Sequence, residues 1–164
     1  MLARALGSDG PRDHRSVFVA LPFGSNQSEL VWNVIDFTCN GLNLRAARAD
    51  RLQNTGLVLE DIWEGIQRAG IVIADVTRMN PNVIYEVGLA HTVSKRVVLL
   101  CERGQELPFD LRSHRVIFYQ TSSEGTKRLT DDLWEALRLL IPASVPSVIK
   151  DRIERSRRII AIER

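Results

Sequence analysis

Residues 71–101 read IVIADVTRMNPNVIYEVGLAHTVSKRVVLLC. The stretch opens on a strongly hydrophobic segment, 71–76 (IVIADV), and closes on another, 96–101 (RVVLLC). Short, mostly apolar runs without alternation are the mark of strands buried on both faces of a parallel sheet. Between them Asn80-Pro81 predicts a helix start, because asparagine can cap free amides and proline at the first helical position lacks an N–H that would otherwise go unpaired. The helix is expected over 81–93. Strand, helix and parallel strand make one βαβ unit, and such units are built into doubly wound sheets.

Working outward, the same alternation recurs. Residues 16–21 (SVFVAL) form an apolar run stopped by Pro22. Residues 27–40 then place Leu30, Val31, Val34, Ile35 and Thr38 at helical spacing and end on Asn40-Gly41, a helix C-cap pattern. Residues 44–49 (LRAARA) are a weaker strand. A helix over 57–69 follows, with Leu59, Ile62, Trp63 and Ile66 on one face and Gly70 at its end. Beyond the opening stretch, 116–119 is a short strand and 129–140 an amphipathic helix. Five strands and four helices predict an α/β fold: a flavodoxin-like doubly wound parallel sheet of order 2-1-3-4-5. Its ligand crevice is expected at the carboxyl ends of strands 1 and 3, where the winding reverses. Residues 1–15 read as a mobile leader, 16–142 as the domain, and 143–164 as a basic amphipathic C-terminal helix.

The residues that topology sends to the crevice are Phe23, Gly24, Ser25 and Asn26 after the first strand, Arg48 and Asp50 after the second, and Asp75, Asn80 and Asn82 after the third. The most unusual residue is Glu86, the sole carboxylate in the helix NVIYEVGLAHTV. A carboxylate in an apolar helix is costly to bury unless it is paired or functional. The alternatives are a glutamate on the solvent edge or one bonded to a backbone amide. Asn82 is four positions earlier and so shares its face. Asp75 ends a hydrophobic strand, and reads either as a cap for the following loop or as a second carboxylate at the same crevice. Adjacent Tyr85 points away from Glu86. His91 reads as packed or at the surface, Trp32, Trp63 and Trp134 as core or interface, and Cys39 and Cys101 as buried thiols.

Asp75-Val76-Thr77, the run from Asn80 to His91 and the strand 95–100 together resemble the nucleoside 2-deoxyribosyltransferase-like family. That family includes deoxynucleoside monophosphate N-glycosidases and is related to TIR domains. The resemblance spans about 16–140, taking in Phe18–Phe23, Arg48-Ala49-Asp50 and Pro108–Arg112; its most specific element is Tyr-Glu-x-Gly-x-Ala at 85–90. It implies that Glu86 is the nucleophile or the carboxylate that stabilises an oxocarbenium-like sugar, and that Asp75 contacts a sugar hydroxyl or passes a proton to the departing base. It also implies that Phe23 faces the base; from its position alone Phe23 is equally a core phenylalanine at a strand end. Two departures stand out. Asn80 occupies a position where the transferases carry an aspartate, and it cannot exchange a proton. The loop after the first strand has one glycine where the glycosidases have a glycine-rich phosphate loop, so Gly24, Ser25 and Asn26, helped by Arg48 or Arg112, are left to present amides and a hydroxyl to a phosphate.

Composition limits the partners. Lys and Arg total 22 against 20 Asp and Glu, a net +2. Residues 150–164 hold six basic and three acidic side chains, or +3, which leaves −1 for everything before them. A near-neutral domain is not built to neutralise many phosphates, so a nucleic-acid polymer is not an expected partner. No apolar run reaches the roughly 18 residues of a membrane span, and no export signal is read, so a cytoplasmic location is expected. The expectation is an enzyme that cleaves the N-glycosidic bond of a small nucleoside or nucleotide, needs no cofactor or metal, and forms a homo-oligomer. The alternatives are a TIR-like NAD glycohydrolase and a nucleotide-binding module with little turnover. A further possibility gives the basic tail a role in assembly or in binding an anionic partner.

Overall fold

The computed structural model describes residues 13–48, 58–112 and 114–141. The leader up to residue 12, Asp50 with its loop, and the C-terminal helix expected over 143–164 lie outside the described residues. The chain order is β1 (Asp13–Ala20), α1 (Asn26–Gly41), β2 (Arg45–Arg48), α2 (Val58–Arg68), β3 (Ala69–Asp75), a 3-10 turn (Thr77–Met79), α3 (Pro81–Thr92), β4 (Arg96–Glu102), the single turn α4 (Phe109–Arg112), β5 (Val116–Tyr119) and α5 (Ser123–Leu140). The five strands form one parallel sheet in the order β2-β1-β3-β4-β5. This is the α/β doubly wound architecture expected from the alternating pattern.

Strand side chains alternate between two cores. On one face Val17, Val19, Ile71, Ile73, Leu100 and Tyr119 pack against Val31, Val34 and Ile35 of α1 and Leu129, Leu133 and Leu137 of α5. On the other, Phe18, Ala20, Val72, Ala74 and Leu99 pack against Ile66 of α2 and Val83, Val87 and Ala90 of α3. The central strands β3 and β4 are apolar through their middles, 71–74 and 97–101, because both faces are covered. Each large side chain fully buried in this way stabilises the fold by about 1.5–3 kcal/mol before the entropy of ordering it.

Several boundaries differ from the sequence reading. β1 begins at Asp13, within the segment read as leader. Gly70 does not end α2 but is the second residue of β3, beside a register irregularity in β1 between Asp13 and Val17. A Cβ there would lie 2.8 Å from the His14 Cα, so close backbone approach calls for glycine. α1 runs through Gly41, and the left-handed residue beyond it is Asn43, at φ 57°. Gly41 serves packing instead: its Cβ would lie 2.5 Å from Cζ3 of the Trp134 indole on α5. α5 starts six residues before the expected 129, capped by Ser122, whose side chain accepts from the Gly125 N–H. Its first turns are mostly exposed, so they show no apolar period.

Candidate functional site

Three chain segments meet at the carboxyl edge of the central strands. The first is the 21–25 connection from β1 into α1. Gly24 adopts φ +72°, a left-handed conformation that glycine enters without strain. Ser25 is the N-cap of α1, its Oγ accepting from the Ser28 N–H at 3.1 Å and lying 2.8 Å from the Ser28 hydroxyl. Phe23 is 51% exposed, which answers the question left by the sequence: it is not a core residue. Asn26 is the exposed first residue of the helix.

The second segment runs from Asp75 to Asn80. Asp75 is buried, and its carboxylate is held by three donors. Oδ1 accepts from the Thr77 N–H at 3.0 Å and from the Thr77 hydroxyl, while Oδ2 accepts from the Tyr119 hydroxyl at 2.7 Å. Thr77 Oγ1 in turn accepts from the Glu102 N–H at 2.9 Å, and Gln27 Nε2 donates to the Tyr119 hydroxyl at 3.0 Å. The cap-like bond to a residue two positions on is therefore present, but as one part of a larger network. Burial pushes the Asp75 carboxyl above the usual carboxylate range, the bonds from Thr77 and Tyr119 oppose that, and Glu102 adds to it.

Arg78 and Met79, next in sequence, have φ of 57° and 52°. Left-handed geometry in two successive non-glycine residues costs on the order of 1–3 kcal/mol each. The turn is held by the Met79 N–H donating to the Val76 carbonyl at 2.9 Å and by Asn80 beyond it. Asn80 is the N-cap of α3, its Oδ1 accepting from the N–H groups of Asn82 and Val83 at 3.1 and 3.3 Å.

The third segment is α3. Its buried stripe is Val83, Glu86, Val87 and Ala90, and Glu86 is only 3% exposed. This removes the solvent-edge alternative for Glu86. Asn82, one turn earlier, is exposed, as is Tyr85. Glu86 belongs to a helix packed on the α2/α3 face of the sheet, whereas Asp75 bonds toward Tyr119 and Gln27 on the α1/α5 face. The two carboxylates thus belong to opposite faces of the sheet.

Arg48 closes β2 and is buried; its guanidinium donates to Glu29 Oε1 at 2.5 Å and lies over the Trp32 ring at 5.8 Å. It is engaged with α1 rather than extended into solvent. Arg112 is exposed and donates from Nε to the Leu107 carbonyl at 2.7 Å. His91 stacks on His114, the ring centroids 4.3 Å apart, which fits the packed reading. Cys39 and Cys101 are buried, and burial pushes their thiols up to about 12 and about 11. Among the described residues no cluster of three or more His, Cys, Asp or Glu is placed to hold a metal ion, and no helix is long and apolar enough to cross a membrane.

The residues the sequence did not single out are Gln27, Tyr119 and Glu29. Only Glu29 left a local signal, an acid in the first turn of a helix that follows a strand.

No family model and no curated protein sequence matches the chain. Solved structures do share its fold. The CMP N-glycosidase BcmB of Clostridium botulinum is 16% identical with a TM-score of 0.54, over 72% of this chain and 97% of that one. The TIR domain of the Toll-related receptor TRR-2 of Hydra magnipapillata is 15% identical with a TM-score of 0.58, over 74% and 97%. The lysine decarboxylase LdcF of Francisella novicida is 13% identical with a TM-score of 0.50; the match covers 79% of this chain but 18% of that one.

Proposed function

We propose that this domain cleaves the N-glycosidic bond of a nucleoside or nucleotide at the carboxyl edge of β1 and β3, with Glu86 as its essential carboxylate. The observation that carries the reading is that Glu86, which the family resemblance implies as the nucleophile, lies buried on the core stripe of α3, where a carboxylate is costly unless it is paired or functional. The fold shared with a CMP N-glycosidase supports it.

In the proposed reaction the Glu86 carboxylate attacks C1′ as the bond to the base breaks, giving a glycosyl ester; the base leaves with the bonding pair and takes up a proton. Water then hydrolyses the ester, releasing the sugar and restoring the carboxylate, as in retaining glycosidases. Transfer differs only in that a second base replaces water. Asp75 contacts a sugar hydroxyl or supplies the proton for the departing base. Phe23 faces the base, and Gly24, Ser25, Asn26, Asn80 and Asn82 line the entrance. The protein acts without a cofactor, on a small molecule, and as a homo-oligomer.

The test is release of free base from 2′-deoxynucleosides, nucleoside monophosphates and NAD, followed by chromatography. Glu86→Gln should lower the rate by about three orders of magnitude or more, the scale of losing a covalent nucleophile. A folded wild-type protein inert on all three classes refutes the reading. The TIR likeness favours a second reading, cleavage of NAD. Nicotinamide release exceeding nucleobase release selects it, while ligand-induced thermal stabilisation without any product selects a binding module.

A further inference from the structure

We infer that Tyr119 is the positioning residue for Asp75, and that the chain of bonds Gln27 to Tyr119 to Asp75 sets the loop after β1 and the carboxylate closing β3 as one unit. This rests on the proposal that Asp75 works at the crevice.

An ionised carboxylate offers about four acceptor positions. In Asp75 both positions on Oδ1 are taken by Thr77, and one on Oδ2 by the Tyr119 hydroxyl. The position that remains for a substrate hydroxyl or for a proton is therefore on Oδ2, the oxygen that Tyr119 holds. Tyr119 is itself fixed, since its ring is buried in the core formed with α1 and α5. Its hydroxyl receives the Gln27 amide and lies 3.3 Å from the Thr77 hydroxyl. Gln27 lies in the first turn of α1, two residues beyond the Ser25 cap. A shift of the entrance loop is thereby transmitted to Asp75 Oδ2 through two hydrogen bonds.

The other titratable groups around this carboxylate are Glu102 and Cys101 at the end of β4. Burial holds the Cys101 thiol up to about 11 and the Tyr119 phenol higher still, so neither titrates together with Asp75.

The experiment uses the full chain with Tyr119→Phe and, as a milder variant at a half-buried position that spares the core ring, Gln27→Leu. The Asp75 carboxyl is titrated by carbon-13 NMR, with Asp75→Asn assigning the signal, and the pH profile of base release is recorded in parallel. Removing a donor to the charged form should raise the Asp75 midpoint by about one pH unit in Tyr119→Phe. Gln27→Leu should move it the same way by less. The limb of the pH profile that follows Asp75 should move upward with it, with the loss falling on kcat more than on KM. An Asp75 midpoint unmoved in both variants overturns the inference, as does a midpoint that moves while kcat and the profile stay fixed. If the wild-type chain releases no base, the reaction proposal falls, and the NMR titration still decides whether Tyr119 sets Asp75. Should Tyr119→Phe fail to fold, Gln27→Leu decides alone.

Discussion

Gly88, the glycine of the Tyr-Glu-x-Gly-x-Ala element, separates what the folded chain requires from what function requires. It is an exposed residue inside α3, and a Cβ built there meets nothing within 4 Å. Packing within the chain gives no reason for glycine, which in an exposed helix interior costs about 0.8–1.0 kcal/mol relative to alanine. Gly88→Ala should therefore stabilise the protein by that amount and raise Tm by about 2–4 °C for a domain of this size. Gly41→Ala is the contrast in the same assay. Its Cβ would sit 2.5 and 2.9 Å from Cζ3 and Cη2 of Trp134, so the indole must swing out of its place between α1 and α5. Overpacking of that kind costs about 1–3 kcal/mol, and the helix-propensity gain offsets part of it, leaving a net loss of up to about 2 kcal/mol. Trp134→Leu should erase the penalty of Gly41→Ala in the double variant. The assay is thermal unfolding by circular dichroism, with base release measured on the same samples. A Gly88→Ala protein that melts below wild type refutes the reasoning, since it would mean the space beside α3 is not open in the folded chain. A protein that melts higher but has lost activity says that the glycine makes room for a ligand or a second copy.

Two further outcomes follow from buried charge. His91 is held below the usual histidine range by burial, with the charge of His114 adding to it, and its buried Nε2 has no hydrogen-bond partner among the described residues. The folded state therefore binds fewer protons than the unfolded chain between the lowered value and about 6.5. Stability should be full above that pH and fall as the pH drops through it, and His91→Phe, which keeps a ring against His114, should flatten the decline in Tm between pH 7.5 and 5. Glu29→Ala, by leaving the Arg48 guanidinium buried beside Trp32, should cost about 1–2 kcal/mol in urea unfolding. That is less than breaking a fully buried pair because Glu29 is half exposed, and Arg48→Met should cost less than Glu29→Ala because it removes the buried charge itself and keeps an apolar chain beside Trp32.

The sheet could be read from the sequence because both of its faces are covered. Burial on two sides forces β3 and β4 to be apolar at nearly every position, and such runs stand out without alternation. Glu86 could be found for the converse reason, as a charge where the pattern allows none. Where the reading slipped, the deciding contact was distant in sequence. Gly70 looks like a helix end until His14 of β1 is placed against it, and Gly41 looks like a cap until Trp134 arrives from α5. The Asp75 network was beyond reach for the same reason: Tyr119 is 44 positions from Asp75 and 92 from Gln27, and a tyrosine closing a buried strand looks like any core aromatic.

The features the sequence offered for a phosphate divide once their partners are known. Ser25 is spent on capping α1, and Arg48 is bonded to Glu29. What the entrance loop still presents is the exposed Phe23, a glycine turn and the amide-rich positive end of α1. Those groups suit a flat base and a weakly held anion better than a tightly gripped phosphate. The third strand, in contrast, ends in a carboxylate with three of its four acceptor positions committed and its last one directed by Tyr119. In the proposed reaction, discrimination at such a site would fall on the sugar and the base, because a hydroxyl that misses the remaining position on Asp75 Oδ2 leaves a buried acceptor unpaired, at a cost of about 1–3 kcal/mol.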